Sequence, residues 1–403
     1  MKIAVVGAGQ AGASLVAKLR ALGHDGPITL IGQEPVPPYQ RPPLSKKYLL
    51  GEMDVERLFL RPVSFYEENA IDLRTGVSVT AIDRAARTLA LSDGTALGYD
   101  RLALTTGSAP RLLPESVGGR LGGVFAVRTL ADIDAMAPRF TEGARVLIVG
   151  GGYIGLEAAA VASLKGLKVT LIEMAERILQ RVAAPETSDY FRALHEGHGV
   201  SIREGIGLSR LTGEGQVAGA VLSDGSEIPV DFVITGIGIA PDTALAEAAG
   251  LEIDNGIRVD EHCRTSDESI LAAGDCASFP WRGGRIRLES VQNAIDQGEA
   301  AAAAMMGSDA PYLAKPWFWS DQYDVKLQIA GLNAGYDSLV ARPGPHEGAA
   351  SLWYYKGDEL LAVDAMNDAR SYMVGKRLIE TGRSPDKAVI ADAGADLKPL
   401  LRG

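Results

Sequence analysis

Cysteine and histidine are scarce in this chain, and their scarcity excludes two classes of function. Only Cys263 and Cys276 occur among the 403 residues, and no CxxC spacing is present. The sequence therefore predicts neither a redox dithiol nor a zinc site. His195 and His198 are spaced so that they would share a helix face, but the polar run HEGHG around them predicts a frayed, solvated helix end rather than a metal site.

Long apolar runs and an excess of basic charge are also missing. No run approaches the roughly 18 apolar residues that span a bilayer, and residues 300–306 form only a short one. Glycines at positions 7, 9 and 12 interrupt the apolar start too early for a signal peptide. A net charge of -11 and a pI near 5.1 disfavour binding to nucleic acid or anionic membranes. We expect a cytoplasmic protein that binds neither.

Glycine is abundant, and two glycine-rich motifs share one pattern. The sequence KIAVVGAGQAG at residues 2–12 recurs as ARVLIVGGGYIG at residues 144–155. Each motif follows an apolar strand, opens a helical stretch, and precedes a second strand that ends near an acidic residue about 20 positions on. Two such βαβ units predict that one protein holds two dinucleotides.

The three glycines of each motif have separate physical tasks. The first permits a tight turn, the second lets backbone N–H groups approach a pyrophosphate, and the third lets helix and strand pack closely. A larger side chain at any of them would obstruct the site. The predicted glycines are Gly7, Gly9 and Gly12 in the first motif and Gly150, Gly152 and Gly155 in the second.

The pattern along the chain predicts an α/β protein of three domains. Residues 99–111 and 231–242 each form an apolar strand that closes on glycine, and we expect each to close one nucleotide domain. Beyond Trp317, alternating runs predict antiparallel strands and then a helix near residues 372–380. The predicted boundaries are 1–112 with 240–315, then 113–239, then an α+β domain at 316–403.

Eight segments resemble the two-dinucleotide flavoprotein disulphide-reductase superfamily, and within it the NADH-dependent ferredoxin reductases of bacterial oxygenases. These segments are VGAGQAG (6–12), RPPLSK (41–46), TTGSAPR (105–111), VRTLAD (127–132), VGGGYIGLE (149–157), AGDC (273–276), ESVQNA (289–294) and WFWSDQ (317–322). The resemblance implies a glutathione-reductase-like fold, with FAD on the first Rossmann-like unit and NADH on the second. It also implies an enzyme whose acceptor is a 2Fe-2S ferredoxin that feeds a haem-thiolate monooxygenase or a ring-hydroxylating dioxygenase.

The resemblance assigns several side chains to FAD. It places Val79 along the adenine, and Arg41 and Arg128 at polar groups of the cofactor. A surface ion pair is the alternative for Arg128. Either Gln33 or Glu34 meets the adenosine ribose, and we favour Glu34 because a carboxylate accepts two hydroxyl donors.

Two more predicted flavin contacts come late in the chain. Asp275 follows an apolar strand at its carboxyl end, where ligands of α/β sheets gather, and we expect it to bind the ribityl chain; a turn or cap residue is the alternative. A helix opening near Val291 would direct free N–H groups at the flavin pyrimidine edge. The remaining predicted cofactor positions are Ala11, Thr106, Gly107, Ile154 and Gly238.

The segment YQRPPLSK at residues 39–46 lies where disulphide-reducing relatives carry their redox cysteines, and it has none. We predict a catalytic role for Lys46, whose ammonium would lie near the reactive edge of the isoalloxazine and favour hydride uptake. A solvated helix lysine is the alternative. Trp319 is predicted to border the flavin on the face opposite NADH, with a core aromatic as the equal alternative.

For the second dinucleotide, Glu173 can bind both ribose hydroxyls of NADH and would repel the extra phosphate of NADPH. Arg177 and Arg181 follow it and leave some affinity for that phosphate open. By resemblance, Glu157 anchors the nicotinamide amide; a plain helix carboxylate is the alternative.

An acidic ferredoxin would need a local cationic surface on this acidic chain. The runs WRGGRIR at residues 281–287 and Lys376 with Arg377 are the predicted docking surfaces, and an ordinary solvated face is the alternative for each. We expect a monomer or weak homodimer. Alternative functions are a related NADH oxidoreductase that reduces rubredoxin, a quinone or another acceptor, and a non-catalytic flavin-binding signalling protein.

Overall fold

A computed structural model of the protein describes residues 1–402. Residue contacts divide the chain into two compact units. The first unit comprises Met1–Arg41, Asp54–Ala109 and Ile239–Pro316. The second comprises Pro42–Met53, Pro110–Gly238 and the chain from Trp317 onward. The division into three domains stays a prediction.

Strands are numbered β1 to β26 and α-helices α1 to α9 in chain order. Up to residue 110 the strands are Ile3–Val6, Ile28–Gly32, Ile71–Thr75, Val79–Asp83, Thr88–Leu91, Ala96–Gly98, Arg101–Leu104 and Ser108–Pro110 (β1 to β8). The next are Val124–Ala126, Arg145–Val149, Lys168–Glu173, Ser201–Glu204, Leu208–Thr212, Gly219–Leu222, Glu227–Pro229 and Phe232–Thr235 (β9 to β16). The last are Ile239–Pro241, Ile257–Arg258, Ile270–Ala272, Ala277–Trp281, Gly284–Ile286, Trp317–Gln322, Val325–Gly331, Ser338–Pro343, Ala350–Lys356 and Glu359–Met366 (β17 to β26).

Helices and single turns connect these strands. The α-helices are Gln10–Ala21, Val63–Glu68, Leu130–Met136, Tyr153–Leu164, Pro185–Gly197, Ala244–Ala248, Val291–Met305, Ala369–Glu380 and Lys387–Ala391 (α1 to α9). A π-helix turn spans Leu44–Tyr48, and 3₁₀ turns span Val55–Arg57, Glu115–Val117, Ala137–Arg139 and Lys398–Leu401. No helix within residues 1–402 combines the length and the apolar character that a bilayer span needs.

The first unit is built on a parallel five-stranded sheet of order β19-β7-β1-β2-β3. Its strands are apolar on both faces, and every residue of β1 and β2 is buried, as expected when helices cover a parallel sheet on both sides. Helix α1 packs against α7. The buried cluster at this contact includes Leu15 and Leu19 of α1, Val5 of β1, and Ala301 and Ala302 of α7.

The second unit contains a matching parallel sheet of order β12-β11-β10-β16-β9. The central strand β10 is followed by α4, and α4 leads back to β11 alongside β10. Nearly all of α4 is buried, from Gly155 to Ala162, because its sequence is apolar on every side. The predicted second βαβ unit is therefore present with the expected element order.

The C-terminal strands form a five-stranded antiparallel sheet of order β22-β23-β26-β25-β24 within the second unit. Helix α8 covers one face, where Leu378 and Val374 join Trp353, Tyr355 and Val363 in a buried cluster. The predicted α/β fold with two Rossmann-like units and a C-terminal α+β region is confirmed. Helix α8 begins at Ala369, three residues before the predicted start.

Candidate functional site

The first glycine motif lies at the carboxyl edge of the first parallel sheet. Val6 pairs with Leu104, which pairs with Ala272, so the loops after all three strands meet at this edge. Gly7 has a φ of 110°, and a Cβ there would lie 2.1 Å from the carbonyl oxygen of Thr105. Only glycine fits such a turn.

Helix α1 presents an uncapped N-terminus at this edge. Its N-cap is Gly9, which has no side-chain capping bond, and a Cβ on Gly9 would meet no atom within 4 Å. Gly12 instead packs so closely that a Cβ would lie 2.2 Å from the carbonyl oxygen of Gly7. Open space before free amide groups and a positive helix dipole fit a pyrophosphate.

The acidic end of β2 already has protein partners. One carboxylate oxygen of Glu34 accepts from Arg41 at 2.6 Å and the other from the Tyr39 hydroxyl at 2.6 Å. Gln33 is exposed beside it. The structure therefore brings Glu34 and Arg41 together, and the choice between Gln33 and Glu34 as the ribose ligand stays a prediction.

Asp275 follows β19 at the same edge of the sheet. Its Oδ2 accepts a hydrogen bond from the Ser108 hydroxyl at 3.0 Å. Gly107, with a φ of 74°, turns the chain beside it, and the Thr106 hydroxyl donates to the Asp242 carbonyl at 2.6 Å. This places the predicted residues Thr106, Gly107 and Asp275 near the first glycine motif.

Helix α7 begins at Val291, as predicted, and Ser290 caps it. The Ser290 hydroxyl accepts from the amide of Asn293 at 3.1 Å, so that first-turn N–H is not available to a ligand. Val79 is half-buried at the start of β4 and packs on the core of the first unit. Ala11 is buried in α1.

The second glycine motif repeats this geometry within the second unit. Gly150 has a φ of 109°, and a Cβ there would lie 2.4 Å from the Gly236 carbonyl oxygen. A Cβ on Gly155 would lie 2.1 Å from the Gly150 carbonyl oxygen. Gly152 is the N-cap of α4 without a side-chain capping bond, and its Cβ direction is open. A second pyrophosphate fits at this terminus.

Glu173 ends β11 beside this motif and is held by backbone amides. Its Oε2 accepts from the Gly151 amide at 2.7 Å, and its Oε1 accepts from the Ala175 amide at 2.8 Å. Arg177 turns away and donates to the Ser188 hydroxyl at 2.5 Å, while Arg181 is exposed. The carboxylate is thus the fixed charge at the predicted ribose position.

Three other predicted cofactor residues also lie in the second unit. Ile154 is 40% exposed in the first turn of α4. Gly238 adopts a φ of 100° after β16. Arg128 is half-buried and immediately precedes Thr129, which caps α3 with a reciprocal bond to Asp132.

Lys46 and Glu157 form a buried ion pair in the second unit. Lys46 Nζ lies 3.0 Å from Glu157 Oε1, with the lysine side chain 14% and the glutamate side chain 8% exposed. Asp321 lies farther from the ammonium, at 3.9 Å. Lys46 sits in the π-helix turn at a non-helical φ of -131° and ψ of -110°. The alternative of a solvated helix lysine is therefore excluded.

Glu157 belongs to the second turn of α4 and collects three donors. Besides Lys46, it accepts from the Ser45 hydroxyl at 3.1 Å and the Ser320 hydroxyl at 2.8 Å. Burial raises the pKa of Glu157, while Lys46 and the two hydroxyls oppose that rise. A plain helix carboxylate is excluded as well.

Trp319 lies in β22, half-buried among other aromatic rings. Its ring centroid lies 5.5 Å from that of Trp317 and 6.4 Å from that of Phe318. This contact fits the aromatic packing alternative, and the flavin role of Trp319 stays a prediction.

Two family models match the chain. Residues 1–298 match the pyridine nucleotide-disulphide oxidoreductase family, and residues 317–401 match the reductase C-terminal family. The chain belongs to the pyridine nucleotide-disulphide oxidoreductases. It is an oxidoreductase that uses FAD and NADH, and the two uncapped glycine N-termini fit the pyrophosphates of these two dinucleotides.

Individual members of this family align over nearly the whole chain. Rhodocoxin reductase from Rhodococcus erythropolis is 42% identical over 401 residues, which are 99% of this chain and 94% of that protein. Rubredoxin-NAD(+) reductase from Pseudomonas putida is 38% identical, over 91% of this chain and 96% of that protein. Among solved structures, the covalent putidaredoxin reductase-putidaredoxin complex matches with a TM-score of 0.96 and 40% identity, over 99% of this chain and 98% of that chain.

The prediction of a solvated helix end is wrong for His195. Helix α5 does end at Gly197, but His195 is fully buried, and its Nε2 lies 2.8 Å from Gln322 Oε1. Burial lowers its pKa to about 4. The local run HEGHG could not reveal this, because the partner is supplied by a strand 127 residues away. No group of metal-ligating side chains occurs in the described chain.

The first predicted docking surface is largely engaged within the protein. Arg285 donates to the Val259 carbonyl at 2.7 Å, and Arg287 pairs with Glu289. Their side chains are only 23% and 11% exposed. Arg282 is exposed and lies over the Trp281 ring. Two of the three arginines therefore have structural partners.

The second predicted docking surface lies on α8. Lys376 pairs with Glu380 at 2.7 Å, four residues on along the helix, whereas Arg377 is exposed. The local pair takes up the Lys376 ammonium and leaves Arg377 as the exposed cation of this surface.

Sequence reasoning missed the polar partners of Glu157. Ser45 was inside a quoted motif and received no role, and neither did Ser320 and Gln322 in WFWSDQ. The signal was available in part, because Ser320 and Gln322 are polar residues two apart in an otherwise aromatic strand, and such residues share one face. Which carboxylate they face required the structure.

Proposed function

We propose that this oxidoreductase passes electrons from NADH through FAD to a 2Fe-2S ferredoxin that serves a bacterial oxygenase. One observation carries the proposal: the chain aligns end to end, at 40% identity and a TM-score of 0.96, with a reductase whose structure holds putidaredoxin in covalent complex. Rhodocoxin reductase, at 42% identity, supports it.

The state of the cysteines supports an external acceptor. Cys263 and Cys276 are both free and buried. Burial raises the pKa of Cys263 to about 12 and also raises the pKa of Cys276. Because the thiolate is the reactive form, neither thiol is suited to exchange electrons. Electrons that reach the flavin therefore have no internal disulphide to reduce and leave to another molecule.

We assign the chain's own residues as follows. The N-terminus of α4 at Gly152 binds the NADH pyrophosphate, and Glu173 binds the adenosine ribose. Glu157 accepts the nicotinamide amide, and the Lys46 ammonium stabilises negative charge that develops during hydride transfer. FAD, when bound, connects a two-electron donor to a one-electron acceptor.

The ferredoxin surface belongs to the same proposal. Since Arg285, Arg287 and Lys376 have partners within the chain, we propose that the exposed Arg282 and Arg377 contribute most to attracting an acidic ferredoxin. A cytoplasmic location and a monomeric or weakly dimeric state are further parts of the proposal.

Steady-state reduction of cytochrome c by NADH tests the acceptor. The purified holoprotein is assayed alone, with a 2Fe-2S ferredoxin, and with a rubredoxin, since a rubredoxin reductase is 38% identical to this chain. The proposal predicts strong stimulation by the ferredoxin. Stimulation by rubredoxin alone would replace the acceptor. If NADH reduces the flavin but neither protein nor a quinone accelerates turnover, the catalytic proposal yields to a flavin-binding signalling protein.

A further inference from the structure

A chain of buried hydrogen bonds runs from α5 to the ion pair of Lys46 and Glu157. His195 Nε2 lies 2.8 Å from Gln322 Oε1, Gln322 Nε2 lies 3.1 Å from Ser320 Oγ, and Ser320 Oγ lies 2.8 Å from Glu157 Oε1. His195 and Ser320 are 0% exposed, Gln322 is 1% exposed and Glu157 is 6% exposed. The chain thus connects three elements, α5, β22 and α4, inside the second unit.

All protons in this chain can point the same way. An ionised carboxylate only accepts, so Ser320 donates to Glu157. The Ser320 oxygen is then free to accept from the Gln322 amide, and the Gln322 carbonyl accepts from His195. Burial lowers the pKa of His195 to about 4, so the ring is neutral at pH 7 and donates through a proton on Nε2. Each donor is polarised toward Glu157, which strengthens the chain.

Few charged groups face the Glu157 carboxylate. Lys46 from the π-helix turn lies 3.0 Å away, and Ser45 from the same turn donates to the second oxygen. Asp321 of β22 lies 3.9 Å from Lys46 and competes for its charge. Burial works against ionisation of Glu157. The hydroxyl of Ser320 is therefore one of three groups that offset a large desolvation cost.

We propose that Ser320, Gln322 and His195 are positioning residues whose hydrogen-bond chain holds the Glu157 carboxylate ionised and aligned with Lys46. Gln322 fixes the direction of the Ser320 hydroxyl, and His195 fixes the orientation of the Gln322 amide. The C-terminal sheet thereby acts on the dinucleotide-binding helix α4 through β22. The functional meaning of the inference rests on the role assigned above to Lys46 and Glu157.

An infrared titration of the oxidised holoprotein tests the chain directly. The protonated Glu157 carboxyl contributes a C=O stretch, which Glu157→Gln identifies by its loss. In Ser320→Ala the midpoint of this band moves upward by roughly one pH unit, the worth of one hydrogen bond to a charged group. An unchanged midpoint would overturn the inference.

Matched variants separate this effect from general damage to the sheet. Ser320→Thr keeps the hydroxyl and should restore the original midpoint. Ser351→Ala removes another fully buried serine hydroxyl from the same sheet, one that accepts from Trp353 at 3.1 Å, and should leave the midpoint unchanged. If Ser320→Ala does not fold, Ser320→Cys carries the test, since a thiol is a weak donor and the midpoint again moves upward.

The far end of the chain is tested by His195→Leu. Loss of the donor to Gln322 releases its amide, so the Glu157 midpoint moves upward by less than in Ser320→Ala. No shift in His195→Leu, beside a clear shift in Ser320→Ala, would remove His195 from the proposal.

The pH dependence of flavin reduction by NADH separates this inference from the proposed function. Measured by stopped flow, the acidic limb for Ser320→Ala should move with the infrared midpoint. If the infrared midpoint moves and the kinetic limb does not, the hydrogen-bond chain stands and the role of Lys46 and Glu157 in hydride transfer is wrong. If neither moves, the inference is overturned whatever the enzyme reduces.

Discussion

At the scale of single residues, the site combines charges that are fixed before any ligand arrives. Lys46 and Glu157 pair at 3.0 Å in a buried place, and Glu173 is held by the amides of Gly151 and Ala175. Groups held in this way cost little reorganisation when charge develops nearby. The sequence indicated Lys46, Glu157 and Glu173 individually, because each lies in or beside a motif. It could not indicate that Lys46 and Glu157 touch, because 111 residues separate them.

Replacement of Lys46 tests its predicted catalytic role. Lys46→Ala removes the ammonium and should slow reduction of the flavin by NADH on the order of tenfold or more. Stopped-flow absorbance of the bound flavin gives the rate, and FAD content controls for loss of cofactor. Lys47→Ala removes the exposed neighbour in the same turn and should have no effect. Equal rates for both variants would remove Lys46 from the mechanism.

Replacement of Glu173 tests coenzyme preference. Glu173→Ala should raise the KM for NADH by about tenfold, since two ribose hydroxyls lose their acceptor, and should narrow the preference over NADPH. Glu173→Gln keeps an acceptor for one backbone amide and isolates the loss of charge repulsion. Glu176→Ala alters an exposed acid three residues on and serves as the control. A ratio of NADH to NADPH efficiency that stays unchanged in Glu173→Ala would contradict the assignment.

At the scale of elements, the two glycine-capped helices are repeats of one device. In both α1 and α4 the N-cap is a glycine with no capping side chain and with open space along its Cβ direction. The order strand, glycine turn, helix, strand was predictable because period and spacing are local properties. The hydrogen-bonded contact of α5 with β22 was not, because polar residues spaced along two distant elements carry no local signal.

Crossed substitutions at these N-caps distinguish the two dinucleotide sites. Gly9 and Gly152 have φ values of -97° and -81°, so a side chain strains neither backbone. Gly9→Val should abolish retention of FAD because the side chain enters the pyrophosphate space. Gly152→Val should keep FAD and weaken NADH binding at least tenfold.

Flavin absorbance per protein and NADH titration read out the two variants. The same loss of FAD in both would show that the two termini do not hold separate dinucleotides. Normal NADH binding in Gly152→Val would exclude α4 as the pyrophosphate site.

At the scale of the whole molecule, buried ionisable groups make stability depend on pH. His195 has a pKa of about 4 in the folded chain against an ordinary value of 6.5. The unfolded chain therefore binds more protons between these values, and stability is lost as pH falls from 6.5 toward 4, by about 3 kcal/mol when complete. Asp364 acts in the opposite sense, because burial raises its pKa to about 6 and its contribution is lost as pH rises from 3.8 to 6.

Urea denaturation at pH 7 and pH 4.5 checks this balance. His195→Gln, which keeps an N–H donor, should lose less stability on acidification than the unaltered protein, while Asp364→Asn should lose more. An identical fall in the unfolding free energy for all three proteins would show that neither group titrates as its burial predicts.

The central claim is that electrons pass from NADH to the flavin and on to a ferredoxin, and anaerobic double-mixing stopped flow tests it most directly. The holoprotein is first reduced with one equivalent of NADH and then mixed with oxidised 2Fe-2S ferredoxin. The account predicts that flavin absorbance returns as the ferredoxin bleaches, at equal rates that fall as salt screens the docking charges. A flavin that stays reduced in the presence of ferredoxin, but is reoxidised by rubredoxin or a quinone, would contradict it.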